Sequence, residues 1–275
     1  MLAVTEAADF SLRGAVLFTP GDRAERFDKG WAASGGQLIL DLEDSVSFER
    51  KAEAREAVAN WLRVSGNRPL VRLNSTDSTY FGQDRAALAG LAVAGLVVPK
   101  VNAVSDLDAV LGSWPATALF PLIESPQGLE SATEIARAPG VRQLMLGALD
   151  LHAECGIEFP HPALMEHARL RLALASRLAG ILAPVDSPHP AVRDMNEVAI
   201  DARAAAMLGF TAKLCIHPAQ LDPVNKAFRP SEKQLSWARE VLAAVESGAG
   251  AVQVRGRMVD APVVASALAI LARIR

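Results

Sequence analysis

The chain has 275 residues, of which 51% are hydrophobic and 21% charged, with a formal net charge of −3. That length and apolar content suffice for one large domain with a substantial core, and the near-neutral balance gives no whole-chain reason to expect nucleic acid or a membrane surface as partner. Two cysteines, Cys155 and Cys215, are too few for a disulfide framework, and each reads as a small reduced core residue.

The opening Met1-Leu2-Ala3-Val4-Thr5-Glu6 has no basic stretch followed by an apolar run, so no secretory leader is expected. From there short apolar runs alternate with amphipathic stretches. The runs at 14–18, 37–42, 70–73, 95–98, 118–123, 143–147, 180–185 and 213–216 read as strands. Helical patterns lie between them. In 47–62, for example, Ala52, Ala57, Val58, Trp61 and Leu62 recur at helical spacing. Pro20-Gly21, Pro69, Pro99, Pro115, Pro126, Pro184 and Pro218 punctuate the joins. Eight strands alternating with helices predict parallel pairing through right-handed crossovers and closure into an α/β TIM (β/α)8 barrel over 12–228, for which roughly 250 residues is the usual length. The longest apolar stretch, 86–99, is short of the roughly 18 residues that a membrane span needs. A cytoplasmic protein is expected.

After Pro218 the pattern changes. Pro230-Ser231-Glu232-Lys233 opens a helix to about Glu246, and a Gly-rich turn follows. Ala251-Val252-Gln253-Val254 and Gly256-Arg257-Met258-Val259 then alternate like a small hairpin around Arg255-Gly256, and Pro262 opens a last apolar helix. This C-terminal extension, 229–275, reads as too small to build its own core, so it should pack on the barrel or on a neighbouring subunit.

Barrel chemistry sits at the C-terminal ends of the strands. The second strand runs into Asp41-Leu42-Glu43-Asp44, the third into Arg72-Leu73-Asn74 and the fourth into Pro99-Lys100. Glu124 follows the fifth, Asp150 the sixth, Asp186 the seventh and His217 the eighth. Glu124 and Asp150, on neighbouring strands, are the metal candidates: two hard oxygen ligands completed by substrate and water suit Mg²⁺, with Mn²⁺ as the alternative. Zinc fits poorly, since His152, His161, His167 and His189 are scattered and no Cys-x-x-Cys occurs. An arginine inside a strand, Arg72, needs an anion, either the substrate or an internal partner, Glu43 or Asp44. Lys100 reads as a plain anion binder or as a Schiff-base lysine.

In order and spacing the motifs resemble the citrate lyase beta-subunit-like family of the HpcH/HpaI aldolase superfamily, which includes malyl-CoA, citramalyl-CoA and citryl-CoA lyases. They are Phe18-Thr19-Pro20-Gly21, Asp41-Leu42-Glu43-Asp44-Ser45-Val46, Val71-Arg72-Leu73-Asn74, Val97-Val98-Pro99-Lys100, Leu122-Ile123-Glu124-Ser125 and Gly147-Ala148-Leu149-Asp150-Leu151. Leu208-Gly209-Phe210-Thr211-Ala212-Lys213, Ile216-His217-Pro218-Ala219-Gln220 and Gly256-Arg257-Met258-Val259-Asp260-Ala261-Pro262 continue the series. The resemblance implies a homotrimeric TIM barrel with Mg²⁺ on Glu124 and Asp150, and Arg72 on the keto-acid part of the ligand. It also implies Asp260 as acid/base, contributed by a neighbouring subunit. One position departs: the family commonly has an acidic residue where Leu149 stands.

The reaction so implied is retro-Claisen cleavage of a 3-hydroxyacyl-CoA thioester to acetyl-CoA and an α-keto acid. Arg72 orients the acid end, Glu43 and Asp44 hold Arg72 and metal-bound water, and Asp260 protonates the enolate. Asp22, Arg23, Glu25, Arg26 and Lys29 read as a solvated helix face. The alternative is that Arg23, Arg26 or Lys29 meets coenzyme A phosphates, with Lys100 a further substrate contact. Competing readings are an aldolase acting on free hydroxy-keto acids, a malyl-CoA thioesterase, and a citrate lyase beta subunit that works only within a complex.

Overall fold

In the computed structural model, which describes residues 10–115, 117–246 and 253–273, the eight apolar runs close into a parallel barrel whose eighth strand pairs with the first. In chain order the first half comprises β1 (Gly14–Pro20), α1 (Phe27–Ala33), β2 (Leu38–Asp41), α2 (Lys51–Ser65), β3 (Leu70–Arg72), α3 (Phe81–Leu88), β4 (Gly95–Val98) and α4 (Ser105–Ser113). The second half comprises β5 (Leu119–Ile123), α5 (Pro126–Glu130), α6 (Ala132–Arg137), β6 (Met145–Leu146), α7 (Ala148–Cys155), α8 (Pro162–Ala179), β7 (Val185–Asp186), α9 (Met195–Met207), β8 (Ala212–Cys215) and α10 (Leu221–Phe228).

The alternation of side chains along each strand divides the apolar residues into two cores. Val16, Ile39, Leu70, Val97, Phe120, Leu122, Met145, Val185, Ala212 and Leu214 fill the barrel interior. Their neighbours in sequence, among them Leu17, Leu38, Leu40, Val71, Leu96, Val98, Leu119, Ile123 and Leu146, pack outward against the helices. The strands therefore carry apolar residues on both faces, the composition that a buried parallel sheet requires, except β7, whose outward residue is Asp186.

The seventh strand is shorter and later than the sequence suggests. Gly180, with φ of 71°, ends α8 in the left-handed conformation, and only Val185–Asp186 of the 180–185 run and its flank joins the ladder. The sixth strand likewise shrinks to two residues.

Beyond the barrel lie α11 (Glu232–Glu246), the hairpin strands β9 (Gln253–Val254) and β10 (Arg257–Met258), and α12 (Ala261–Ala272). Ala251, Val252 and the Gly-rich turn fall outside the described residues, as does the N-terminal segment 1–6. The expectation that this extension has no core of its own is corrected. Ala238, Val241, Val254 and Ala267 are buried together, with Trp237, Val263, Val264 and Ile270 packed on them. On α12 Leu268 is left exposed. The extension is tied to the N-terminal end of the barrel: Arg13 donates to the Ala272 carbonyl at 3.1 Å and Arg273 to the Phe228 carbonyl at 2.7 Å. No helix of the described residues is long and apolar enough to cross a membrane.

Candidate active site

The inward rows of the barrel extend past the apolar layers into polar residues at the C-terminal mouth. Ile39 faces in, so Asp41 does too; Leu70 leads to Arg72, and Leu122 to Glu124. Asp41 is fully buried and takes the Arg72 fork, Nε to Oδ1 and Nη2 to Oδ2, both at 2.6 Å. Its oxygens also accept the backbone N–H groups of Glu43 at 2.9 Å and Ser45 at 3.1 Å, and the Ser45 hydroxyl. Burial pushes the Asp41 carboxyl up, but the Arg72 charge and these donors outweigh it and hold the group below the usual carboxylate range.

Arg72 continues to Glu43, Nη1 to Oε2 at 3.2 Å, and lies over the Phe18 ring at 4.8 Å. Burial opposes its charge, yet Asp41 and Glu43 raise its pKa still further. The internal partner expected for Arg72 was Glu43 or Asp44. Glu43 is one, but the bidentate partner is Asp41, and Asp44 is not in contact. Asp44 is half exposed on the rim and comes only within 3.9 Å of Lys100. Burial keeps Glu43 above its ordinary value even against Arg72.

Lys100 links two sides of the mouth. Its Nζ is 3.0 Å from Glu43 Oε1, while its backbone N–H donates to Glu124 Oε1 at 2.7 Å. Its φ of 56° is left-handed, a conformation costing a non-glycine residue about 1–2 kcal/mol. The ion pair with Glu43 holds the ammonium charged, its pKa raised although burial works against that. This favours an anion-binding Lys100 over a Schiff-base nucleophile.

Glu124 is buried and Asp150, in the first turn of α7, is exposed beside it. Burial first, and the Asp150 charge second, push the Glu124 carboxyl up to about 8. A cation between the two oxygens removes both penalties, so the donor set fits a hard divalent ion. Among the described residues no three His, Cys, Asp or Glu side chains gather into a metal cage. Two carboxylates leave the other positions to substrate and water, the usual arrangement for Mg²⁺. Gly147 makes room for this: a Cβ there would stand 2.4 Å from Glu124 Oε2. The Ser187 hydroxyl fixes the next turn by accepting the Ala148 N–H at 3.0 Å.

Two cavities meet at this pair. One, of about 440 Å³, is lined by Ser75, Asp77, Lys100, Asn102, Glu124 and Asp150 among others. The second, of about 240 Å³, is lined by Phe18, Arg72, Glu124, Leu149, Asp150 and Ile216 among others. A cavity of about 510 Å³ lies at the opposite, N-terminal end between barrel and extension, lined by Arg13, Asn225, Arg229 and Arg273, with Glu232 its single carboxylate. It has no paired acids, whereas both mouth cavities share Glu124 and Asp150.

Other sequence-selected residues lie elsewhere. Asp186 follows inward-facing Val185 and so points outward, where it is sealed against Arg169 and Lys213. His217 is exposed, and its ring accepts the Ala219 N–H as a helix cap. Arg23 and Arg26 are exposed on the short turn after β1 and line neither mouth cavity. Asp260 caps α12, accepting the Val263 N–H at 3.1 Å, and lines neither cavity. Cys215 is buried, its thiol pushed up to about 12 by burial. Sequence reasoning passed over Lys51, which lies within a helical pattern. Its buried ammonium donates to the Leu42 and Glu43 carbonyls and to Asn74 Oδ1, each at 2.7 Å, and so fixes the loop after β2.

A family model described as HpcH/HpaI aldolase/citrate lyase matches residues 14–218. The chain is 38% identical over 263 residues to a citrate lyase subunit beta-like protein of Mycobacterium tuberculosis, covering 94% of each chain. It is 32% identical over 252 residues to a (3S)-malyl-CoA thioesterase of Cereibacter sphaeroides, covering 89% of this chain and 88% of that one. Among solved structures it is similar to the protein CitE of Mycobacterium tuberculosis in complex with magnesium, acetoacetate and coenzyme A. There the TM-score is 0.85 at 36% identity, over 96% of this chain and 98% of the other.

Proposed function

The chain belongs to the HpcH/HpaI aldolase/citrate lyase family, and from that premise we propose that it is a Mg²⁺-dependent carbon–carbon lyase that cleaves a 3-hydroxyacyl-CoA to acetyl-CoA and a 2-oxo acid. The observation that carries the reading is the Glu124–Asp150 pair bordering both mouth cavities with Arg72 on the wall of one. The CitE complex with magnesium, acetoacetate and coenzyme A supports the same ligand chemistry for this chain.

In this reading Arg72, already fixed in plane by Asp41 and Glu43, turns its remaining N–H groups to the substrate carboxylate. A divalent cation held by Glu124 and Asp150 supplies Lewis-acid stabilisation for the negative charge that grows on the hydroxyl oxygen as the bond breaks. The Asp260 carboxylate takes the proton from that oxygen as the electron pair of the carbon–carbon bond moves into the thioester as an enolate. A proton then returns to the enolate carbon. Asp260 delivers it from a neighbouring copy, since within its own chain α12 is anchored at the barrel's far end and spans about 18 Å. This requires an assembly of at least two copies, and the homotrimer that the family resemblance implies is the form we propose. Lys100, on the wall of the larger cavity, holds an anionic part of the thioester, and Arg23 and Arg26, which line neither cavity, would meet only the coenzyme A phosphates outside it.

Malyl-, citramalyl- and citryl-CoA assayed with Mg²⁺ should release acetyl-CoA and an oxo acid. Glu124→Gln and Asp150→Asn should each lose about 10²–10³ in rate while staying folded, and EDTA should mimic them. Full activity in EDTA overturns the reading and calls for borohydride trapping at Lys100. The thioesterase relative favours a second reading, hydrolysis, which would release free CoA and the intact hydroxy acid instead.

A further inference from the structure

The wall of the smaller mouth cavity is of two kinds. Arg72, Glu124, Asp150, Asp41 and Asp44 supply charge, and Leu122, Leu146, Leu149, Pro188, Leu214 and Ile216 are the aliphatic part of the lining. Two of these side chains are large, aliphatic and solvent-facing: Leu149 is 49% exposed and Ile216 47%. They follow different strands, β6 and β8. Leu149 directly precedes Asp150 at the start of α7, and Ile216 extends the inward row of Ala212 and Leu214 past the end of β8. Exposed leucines scattered singly need no explanation. Two that share a cavity with a cation-binding pair are half of a binding surface.

Charge limits the ligand further. Of the described residues lining this cavity, Arg72 is the single cation, and Asp41 and Glu43 already engage it. Asp41 and Asp44 add negative charge to the same wall. A second carboxylate on the oxo acid would meet aliphatic side chains and acids, with no free cation to receive it. An alkyl group would cover Leu149 and Ile216 and remove apolar surface from water.

We propose that the acid half of the substrate carries an apolar alkyl substituent on its hydroxyl-bearing carbon, seated between Leu149 and Ile216. The oxo acid released is then an alkyl 2-oxo acid, not glyoxylate or oxaloacetate. This rests on the lyase reading above, and a direct binding measurement separates the two. Calorimetric titration of the Mg²⁺-loaded protein with glyoxylate, pyruvate, 2-oxobutanoate, 3-methyl-2-oxobutanoate and oxaloacetate gives the series. Affinity should rise about fourfold per added carbon until the cavity is full, with oxaloacetate weaker than pyruvate. Leu149→Ala and Ile216→Ala should each flatten the rise, and Leu149→Glu should abolish it. Glyoxylate or oxaloacetate binding tightest, or the same slope in all three variants, overturns the inference and leaves the lyase reading standing. If the variants leave the slope alone and instead dissociate the oligomer in sedimentation, these side chains form a contact between copies and the inference falls. Absence of Mg²⁺-dependent binding for every oxo acid overturns both.

Discussion

The barrel holds two charge networks, each of two carboxylates, one arginine and one lysine, one of them sealed and the other ending in the exposed Lys100. At the mouth Asp41, Arg72, Glu43 and Lys100 form a chain that opens onto the cavities. Between β7, β8 and the helices α8 and α9, Asp186, Arg169, Asp201 and Lys213 form a closed ring. Arg169 grips Asp186 at 2.9 Å through two nitrogens, and Lys213 spends its three N–H groups on Asp186, Asp201 and the Ser187 carbonyl at 2.5–2.6 Å. The closed ring is saturated. Burial raises Asp201, but Lys213 and Arg169 outweigh it and hold its carboxyl low. The open chain instead leaves carboxyls above their ordinary values, Glu43 within it and Glu124 beside it, together with one left-handed lysine. A buried network whose carboxyls are held low by their cations stabilises structure; carboxyls held above their ordinary values at a cavity wall, as Glu43 and Glu124 are, mark a candidate site.

Breaking the closed ring should give the largest change in stability. Lys213→Met leaves Asp186 and Asp201 without one of their two cations in a buried setting, an expected loss of about 3–5 kcal/mol in urea unfolding, with turnover per folded molecule close to wild type. A kinetic collapse at unchanged stability would show the ring to be functional instead. In the open chain Arg72→Lys should split its effect. Fully buried Asp41 loses half of a bidentate pair, about 1–3 kcal/mol, and Mg²⁺-dependent oxo-acid binding should fall by more than the stability loss explains. A pure stability defect would make the two networks equivalent.

The smallest and most specific effect concerns pH. Because Glu124 is raised from 4.5 to about 8, its contribution to metal-free stability is full below the ordinary carboxylate range and is lost as pH rises through about 8. Mg²⁺ needs the ionised form and so acts in the opposite direction. The Mg²⁺-induced rise in melting temperature should therefore be smaller at pH 6 than at pH 8, with apparent affinity falling by up to about tenfold per pH unit below 8. Glu124→Gln should erase the trend.

The fold was legible because eight apolar runs alternate with helical patterns, and the barrel follows from that count. The mouth was legible as a set of ionisable strand ends, which included Arg72, Glu124 and Asp150, and strand parity is what sorts that set. Asp41 and Asp186 both end a strand, but Ile39 faces in while Val185 faces in one residue closer, so one acid reaches the cavity and the other the helix layer. Counting ionisable strand ends treats them alike; counting in twos from the interior row separates them. Lys51 could not be found this way, since a helix position gives no sign that its ammonium bends back to cap a loop. The small core of the extension was missed for another reason. Its apolar residues are spread over α11, the hairpin and α12, and only the folded arrangement brings Ala238, Val254 and Ala267 together.

Lys100 has a consequence for how this site is able to change. Through its main chain it holds the carboxylate of Glu124, and through its side chain the partner of Arg72. A substitution that shifts either end drags on the other, so mutations at Glu43, Arg72, Lys100 and Glu124 should be non-additive in double-mutant cycles. A route to new specificity by stepwise mutation runs through positions outside that tie. Leu149 and Ile216, half exposed and bonded to neither end, are where laboratory evolution has the most freedom.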